Sequence, residues 1–261
     1  VMLQALAILK GIDLSAMDPM GAAFVHTVTE AMKLAFADRE AYYGDPACAE
    51  IPMDVLLSDD YAARRRALIG AQASRDQRPG FVPGFEHLAD AAVARALRVA
   101  PQDAPHASEH RGDTVHLDVI DRWGNMISAT PSGGWLQSSP VIPGLGFPLN
   151  SRAQIFWLED GPNGLAPGKR PRTTLSPSMA EKDGTRLAFG TPGGDQQDQW
   201  QLIWFLRLVH HGLDLQQGMD APLFHTAHFQ SSFHPREVHP AALHVEPALG
   251  DGVIDDLRAR G

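Results

Sequence analysis

The stretch QWQLIWFLRLVHHG (199–212) constrains this chain more than any other. At 3.6 residues per turn, Leu202, Phe205, Leu206 and Val209 fall on one face of a helix, with Trp200, Ile203 and Trp204 beside them. A surface helix shows an apolar stripe of about 100°. This one is much wider, so it must be buried between layers. Directly before it, SMAEKDGTRLAFG (178–190) reads as a hairpin turning at Asp183-Gly184, and GTPGGD (190–195) as a glycine turn. Strand pair, glycine turn and buried helix predict an α+β sandwich of stacked layers.

The first half is helical. Asp18 before Pro19 predicts a helix N-terminus, followed by a stripe of Val25, Val28, Met32, Ala35 and Phe36 and a stop at Gly44. Residues 53–70 read as a basic helix. Between 71 and 113 only HLADAAVARALRV has a helical period; the rest is rich in Pro, Gly, Ser, His and Asp and reads as a linker or mobile segment. After Thr114 the chain turns to strands and glycine loops, opening with a hairpin over 114–131 that has one mainly apolar face. No internal repeat is visible. Both ends read as cut, since VMLQALAILKG opens in mid-helix and GVIDDLRARG closes on one.

Composition removes several function classes. A net charge of -9 argues against a nucleic-acid or anionic-membrane partner. No apolar run approaches the roughly 20 residues of a membrane span. Cys48, the single cysteine, excludes an internal disulfide framework and has no companions for catalysis.

The chemistry gathers at Thr114, where the loose APQDAPHASEHRGD (100–113) meets a strand. Cleavage between Asp113 and Thr114 would leave a hydroxyl and an α-amine, of pKa about 8, on one residue. A hydroxyl is a weak nucleophile until a nearby base takes its proton, and that amine suits the task. Ser132, with Thr130, lies on a strand expected to pair with that of Thr114, within reach of its hydroxyl. Gly193-Gly194, between strand and helix, can aim backbone N–H groups at a developing oxyanion. KRPRTTLSP (169–177) clusters Lys169, Arg170 and Arg172 with Thr173, Thr174 and Ser176, a set suited to holding a carboxylate. His116 is expected on the same side of its strand as Thr114. Asp38 and Asp45 read as helix-end fixers. The HTAH spacing (225–228) has no companion ligand set, so no metal is predicted.

GDTVHLDVIDRWGN, APGKRPRTTLSP and GTPGGDQQDQW, in that order, with FADREAYYGDP (36–46) and DAPLFH (220–225), resemble the gamma-glutamyltranspeptidases, which are autoprocessing N-terminal-nucleophile hydrolases. The resemblance covers essentially the whole chain. It implies a four-layer αββα sandwich in one structural domain, with 1–113 as the end of a large subunit and 114–261 as the small one. It implies Thr114 as the nucleophile, Ser132 as the hydroxyl that bonds it, Gly193 and Gly194 as the oxyanion hole, and Thr173-Thr174 at the substrate carboxylate. The implied partners are a small-molecule amide and a water or amine acceptor, with no cofactor.

One departure concerns substrate. Where the family has a glutamine and an aspartate gripping the substrate α-ammonium, LNSRAQIF (149–156) has Arg152 and Ile155, and Gly134 replaces an asparagine. Arg152 would repel an ammonium. The pattern is closer to cephalosporin or glutaryl acylases, which leaves two substrate expectations, γ-glutamyl and glutaryl. A rival of another class is an unprocessed relative kept as a binding protein.

Overall fold

A computed structural model of the chain describes residues 1–98, 113–134 and 140–261. Residues 99–112 of the predicted linker, including the stretch that precedes Asp113, lie outside the described residues.

Helix α1 (Met2–Leu9) packs along α2 (Ala22–Tyr42). The predicted start at Asp18 is three residues early. Asp18 accepts from the N–H of Met20 through its side chain and from that of Gly21 through its carbonyl, so the chain makes one more turn before the helix. All five residues of the expected stripe are buried, but so is the opposite face of α2. Its charged residues are buried as pairs, among them Lys33 with Glu30, and Arg39 with Glu40. The helix ends before Gly44, where any side chain would collide with the Pro162 carbonyl, since a Cβ would lie 1.9 Å from that oxygen. The basic helix expected over 53–70 is two, α3 (Met53–Leu56) and α4 (Asp59–Arg66), because Ser58 caps the second by accepting from the Tyr61 N–H. Helix α5 (Glu86–Arg98) packs against α2.

The strand region opens with β1 (Asp113–Thr114), β2 (Leu117–Ile120), β3 (Met126–Ala129) and β4 (Ser132–Gly134). The single hairpin expected over 114–131 is two short ladders. β2 pairs antiparallel with β3 from Leu117↔Ala129 to Ile120↔Met126, while β1 pairs with β4, Thr114 opposite Ser132. The predicted apolar face is a second correction: Val115, Leu117 and Val119, with Ile127 across the ladder, are exposed rather than buried. Strands β5 (Ser178–Lys182) and β6 (Thr185–Phe189) form the hairpin about Asp183-Gly184.

Helix α6 (Gln197–His211) follows the glycine turn and ends at Gly212. Leu202, Ile203 and Leu206 are buried against α1 and the core around Phe24 and Phe36, and Phe205 stacks on Phe189 of β6 at 5.4 Å. Only Val209, at the end of the predicted stripe, is exposed. The chain closes with α7 (Leu215–Asp220), the pair β7 (Phe224–Thr226) and β8 (Leu243–Val245), and α8 (Asp251–Ala259). The class is α+β. Among the described residues the strands form four two-stranded sheets rather than continuous layers.

Candidate active site

The β1–β4 pairing sets Thr114 against Ser132, with their hydroxyl oxygens 2.8 Å apart. Arg152 reaches the same point from a 3-10 turn (Arg152–Ile155) whose start is fixed by its own N–H donating to Asn150 Oδ1 at 2.6 Å. Its guanidinium donates through Nη2 to Ser132 Oγ at 2.6 Å and through Nη1 to Thr174 Oγ1 at 3.1 Å. A row of hydrogen bonds therefore runs Thr114–Ser132–Arg152–Thr174. Partial burial pulls the Arg152 pKa below the ordinary arginine value, and the charge of Asp195 opposes that fall. An arginine so shifted is still a cation at neutral pH.

The glycine turn forms the floor. Gly193 has φ 136° and Gly194 φ 58°, backbone states that disfavour any side chain. A Cβ on Gly193 would sit 2.6 Å from Trp200 Cζ3, and one on Gly194 3.0 Å from Phe233 Cε2. These residues enclose a cleft of about 380 Å³ lined by Thr114, Arg152, Gly193, Gly194, Trp200 and His225 among others.

Beneath the turn lies a buried ionic cluster. Asp195 accepts from Arg39 Nη1 at 2.5 Å, and from the Ser232 N–H and hydroxyl at 2.7 Å each. Arg39 also donates to Glu40, which pairs with Arg172 at 2.8 Å. Burial alone would raise the Asp195 pKa; the Arg39 charge and the Ser232 bonds outweigh it and hold the carboxyl below its usual value.

The remaining sequence candidates divide. Thr174 is buried beside Arg152, whereas Thr173 is exposed, outside the cleft lining, and its hydroxyl accepts from the Leu175 N–H. The cations expected to hold a substrate carboxylate are engaged elsewhere: Arg170 with Asp45, Arg172 with Glu40, and Lys169 with the Gly161 carbonyl. Ile155 is fully buried in the interior and does not line the cleft, while Gly134 pairs with Asp113 in the β1–β4 ladder. His116 lies behind the site, bonded to Thr130 and Asp118 at 2.8 and 2.7 Å with its ring against Gly190. Asp38 accepts from the Gly80 N–H and faces Arg65, so it ties α2 to the 80 loop. No group of potential metal ligands occurs among the described residues.

Sequence reasoning missed Asp195, Trp200, His225 and Phe233 as cleft residues. Asp195 had a signal, since it directly follows the glycine pair. The helical period places Trp200 beside the core face; its indole reaches back under Gly193.

Comparison with known proteins matches residues 1–261 to the family model for gamma-glutamyltranspeptidase. The glutathione hydrolase proenzyme of Pseudomonas sp. (strain A14) is 31% identical over 242 residues, covering 86% of this chain and 38% of that protein. Among solved structures, that of LmbA2991HD is 48% identical with a TM-score of 0.80, covering 100% of this chain and 44% of that one. The cephalosporin acylase from Bacillus halodurans is 29% identical with a TM-score of 0.76, covering 100% of this chain and 41% of its own. The chain thus spans about two fifths of the length of these relatives.

Proposed function

The chain belongs to the gamma-glutamyltranspeptidase family, and from that premise we propose that it is the core of an autoprocessing amidohydrolase or acyltransferase with Thr114 as its nucleophile. The observation that carries this reading is the 2.8 Å contact between the Thr114 and Ser132 hydroxyls, beside a glycine pair with positive φ. In maturation the Thr114 hydroxyl attacks the Asp113 carbonyl, the peptide C–N bond breaks, and the resulting ester is hydrolysed by water. Residues 1–113 then belong to the large subunit and 114–261 to the small one, within the family's four-layer αββα sandwich. In turnover the freed α-amine takes the hydroxyl proton as Oγ adds to a substrate amide, and the protonated leaving amine departs. The acyl-enzyme ester passes to water or an acceptor amine. The Gly193 and Gly194 N–H groups meet the oxyanion; removing one such donor typically costs about 10²–10³ in rate. No step calls for a metal or organic cofactor.

Arg152 favours the acylase-like substrate over γ-glutamyl. It brings a cation to the hydroxyl pair through Ser132, where an acyl group's own carboxylate is attracted and an α-ammonium repelled. In full-length protein, N-terminal sequencing of the smaller chain should read Thr-Val-His-Leu-Asp, and Thr114→Ala should stay whole. The processed enzyme should show kcat/KM for a glutaryl anilide at least equal to that for the γ-glutamyl anilide. A wild type that remains one chain would support the non-catalytic rival.

A further inference from the structure

The floor of the cleft is an ordered row. The Arg152 guanidinium lies 5.8 Å from the Phe233 ring. The Phe233 edge abuts Gly194, and on the other side of the turn the six-membered ring of Trp200 abuts Gly193. Trp200 meets His225 edge to face at 5.6 Å, and His225 stacks flat on His244 at 4.8 Å with 10° between the planes. The row therefore has a cationic end at Arg152, the glycine pair in the middle, and an aromatic end at Trp200 and His225.

We propose that the Trp200–His225 end is a subsite for a flat, uncharged aromatic ring carried on the nitrogen side of the scissile amide. Which side of the bond the ring occupies rests on the amide-cleaving reading above; the ring site itself rests on the geometry. With Arg152 attracting an acyl carboxylate at one end and the oxyanion donors at the centre, the leaving amine extends toward the other end. There it meets an indole and an imidazole that both line the cleft, the imidazole stacked on a second one. Quadrupolar rings prefer such edge-to-face and offset-stacked partners over saturated groups of equal size. Burial, with His244 beside it, pushes the His225 pKa down to about 4. The shelf is thus neutral at physiological pH and gives a charged amine no counter-ion. The same end suits an aromatic acceptor amine entering to resolve the acyl-enzyme.

The test uses processed full-length enzyme and two neutral probes of matched size, benzamide and cyclohexanecarboxamide, with binding followed by calorimetry. Benzamide should bind about tenfold more tightly, the scale expected for an aromatic pair beyond equal area burial. His225→Ala should bring the two affinities within about twofold of each other. His244→Ala, on the far face of the stack, should lower the preference by a smaller factor, which guards against misfolding of the first variant. Glutaryl benzylamide should likewise show a lower KM than glutaryl cyclohexylmethylamide. Equal affinity of the two probes for wild type, or a preference unmoved by His225→Ala, overturns the subsite. Benzamide preference without hydrolysis of either amide would sink the catalytic reading and leave the ring site standing.

Discussion

Arg39→Met offers a demanding test of how the glycine turn is held. In α2 the guanidinium spans two carboxylates, Asp195 at 2.5 Å and Glu40 at 2.8 Å, and lies 4.5 Å from the Phe36 ring. Methionine fills much of the volume but removes the charge. Glu40 keeps Arg172, so Asp195 loses its ion pair and keeps only the Ser232 N–H and hydroxyl as hydrogen-bond donors to its side chain. Two unit charges 4 Å apart attract by about 4 kcal/mol at the effective dielectric of such sites. Removing one partner of a buried pair costs roughly 3–5 kcal/mol, a large part of a total stability of about 5–15 kcal/mol. We expect a loss of about 3 kcal/mol in urea denaturation of the processed enzyme. The loss should shrink on acidification. Without Arg39, burial is free to raise the Asp195 pKa, so a proton can neutralise the orphan carboxylate. Adding Asp195→Asn should recover more than half of it, because no unpaired charge then remains. Since Asp195 directly follows Gly194, kcat should fall more than KM rises in the single variant. A cost below about 1 kcal/mol, or strictly additive single and double variants, would show that this cluster does not hold the turn.

Gly194→Val should lower turnover by about 10²–10³ with the fold retained, because valine at φ 58° must move the backbone whose N–H is proposed to serve the oxyanion. Near-normal kcat would reduce the glycines to a tight turn. His228 should stay neutral far below the usual histidine range: burial, with Lys33 nearby, pushes its pKa down to about 3. Its Nδ1 accepts from the Ala241 N–H at 3.0 Å, so the neutral ring donates from Nε2 to the Asp76 carbonyl. The folded pKa lies below the unfolded one, near 6.5. Its contribution is therefore intact above pH 6.5 and declines as pH falls toward 3, by about 2 kcal/mol at pH 5. An NMR titration of His228 with a midpoint near 6.5 would refute this.

What the sequence disclosed, and what it hid, follows from the range of the forces involved. The α6 helix, the Asp183-Gly184 hairpin and the Thr114–Ser132 pairing rest on periodicity or turn chemistry within some twenty residues, and those are legible. The split of the 114–131 hairpin into two ladders was not, since alternation continues unbroken through Val115 and His116. Long-range charge pairing leaves no periodic trace: Arg39 and Asp195 stand 156 positions apart, and each reads alone as a solvated ion. The same blindness misplaced Arg170 and Arg172, which look like a substrate clamp beside Thr173 but neutralise Asp45 and Glu40.

Arg152 is the instructive intermediate. Its sign was readable, and so was the proposed exclusion of a substrate ammonium. Its partner was not. The bond to Ser132 Oγ makes the cation a neighbour of the hydroxyl that Thr114 contacts. On the proposed mechanism, a positive charge there polarises the Ser132 O–H toward Thr114 Oγ1 as that oxygen gains charge on leaving the acyl group, while the proton it takes up comes back from the α-ammonium. If, as the family resemblance implies, Arg152 stands where relatives carry an ammonium-binding carboxamide, the arginine does more than delete one recognition element. It couples the choice of acyl group to the electrostatics of the hydroxyl pair, so restoring γ-glutamyl preference by Arg152→Gln should slow acyl-enzyme breakdown even for the substrate it favours.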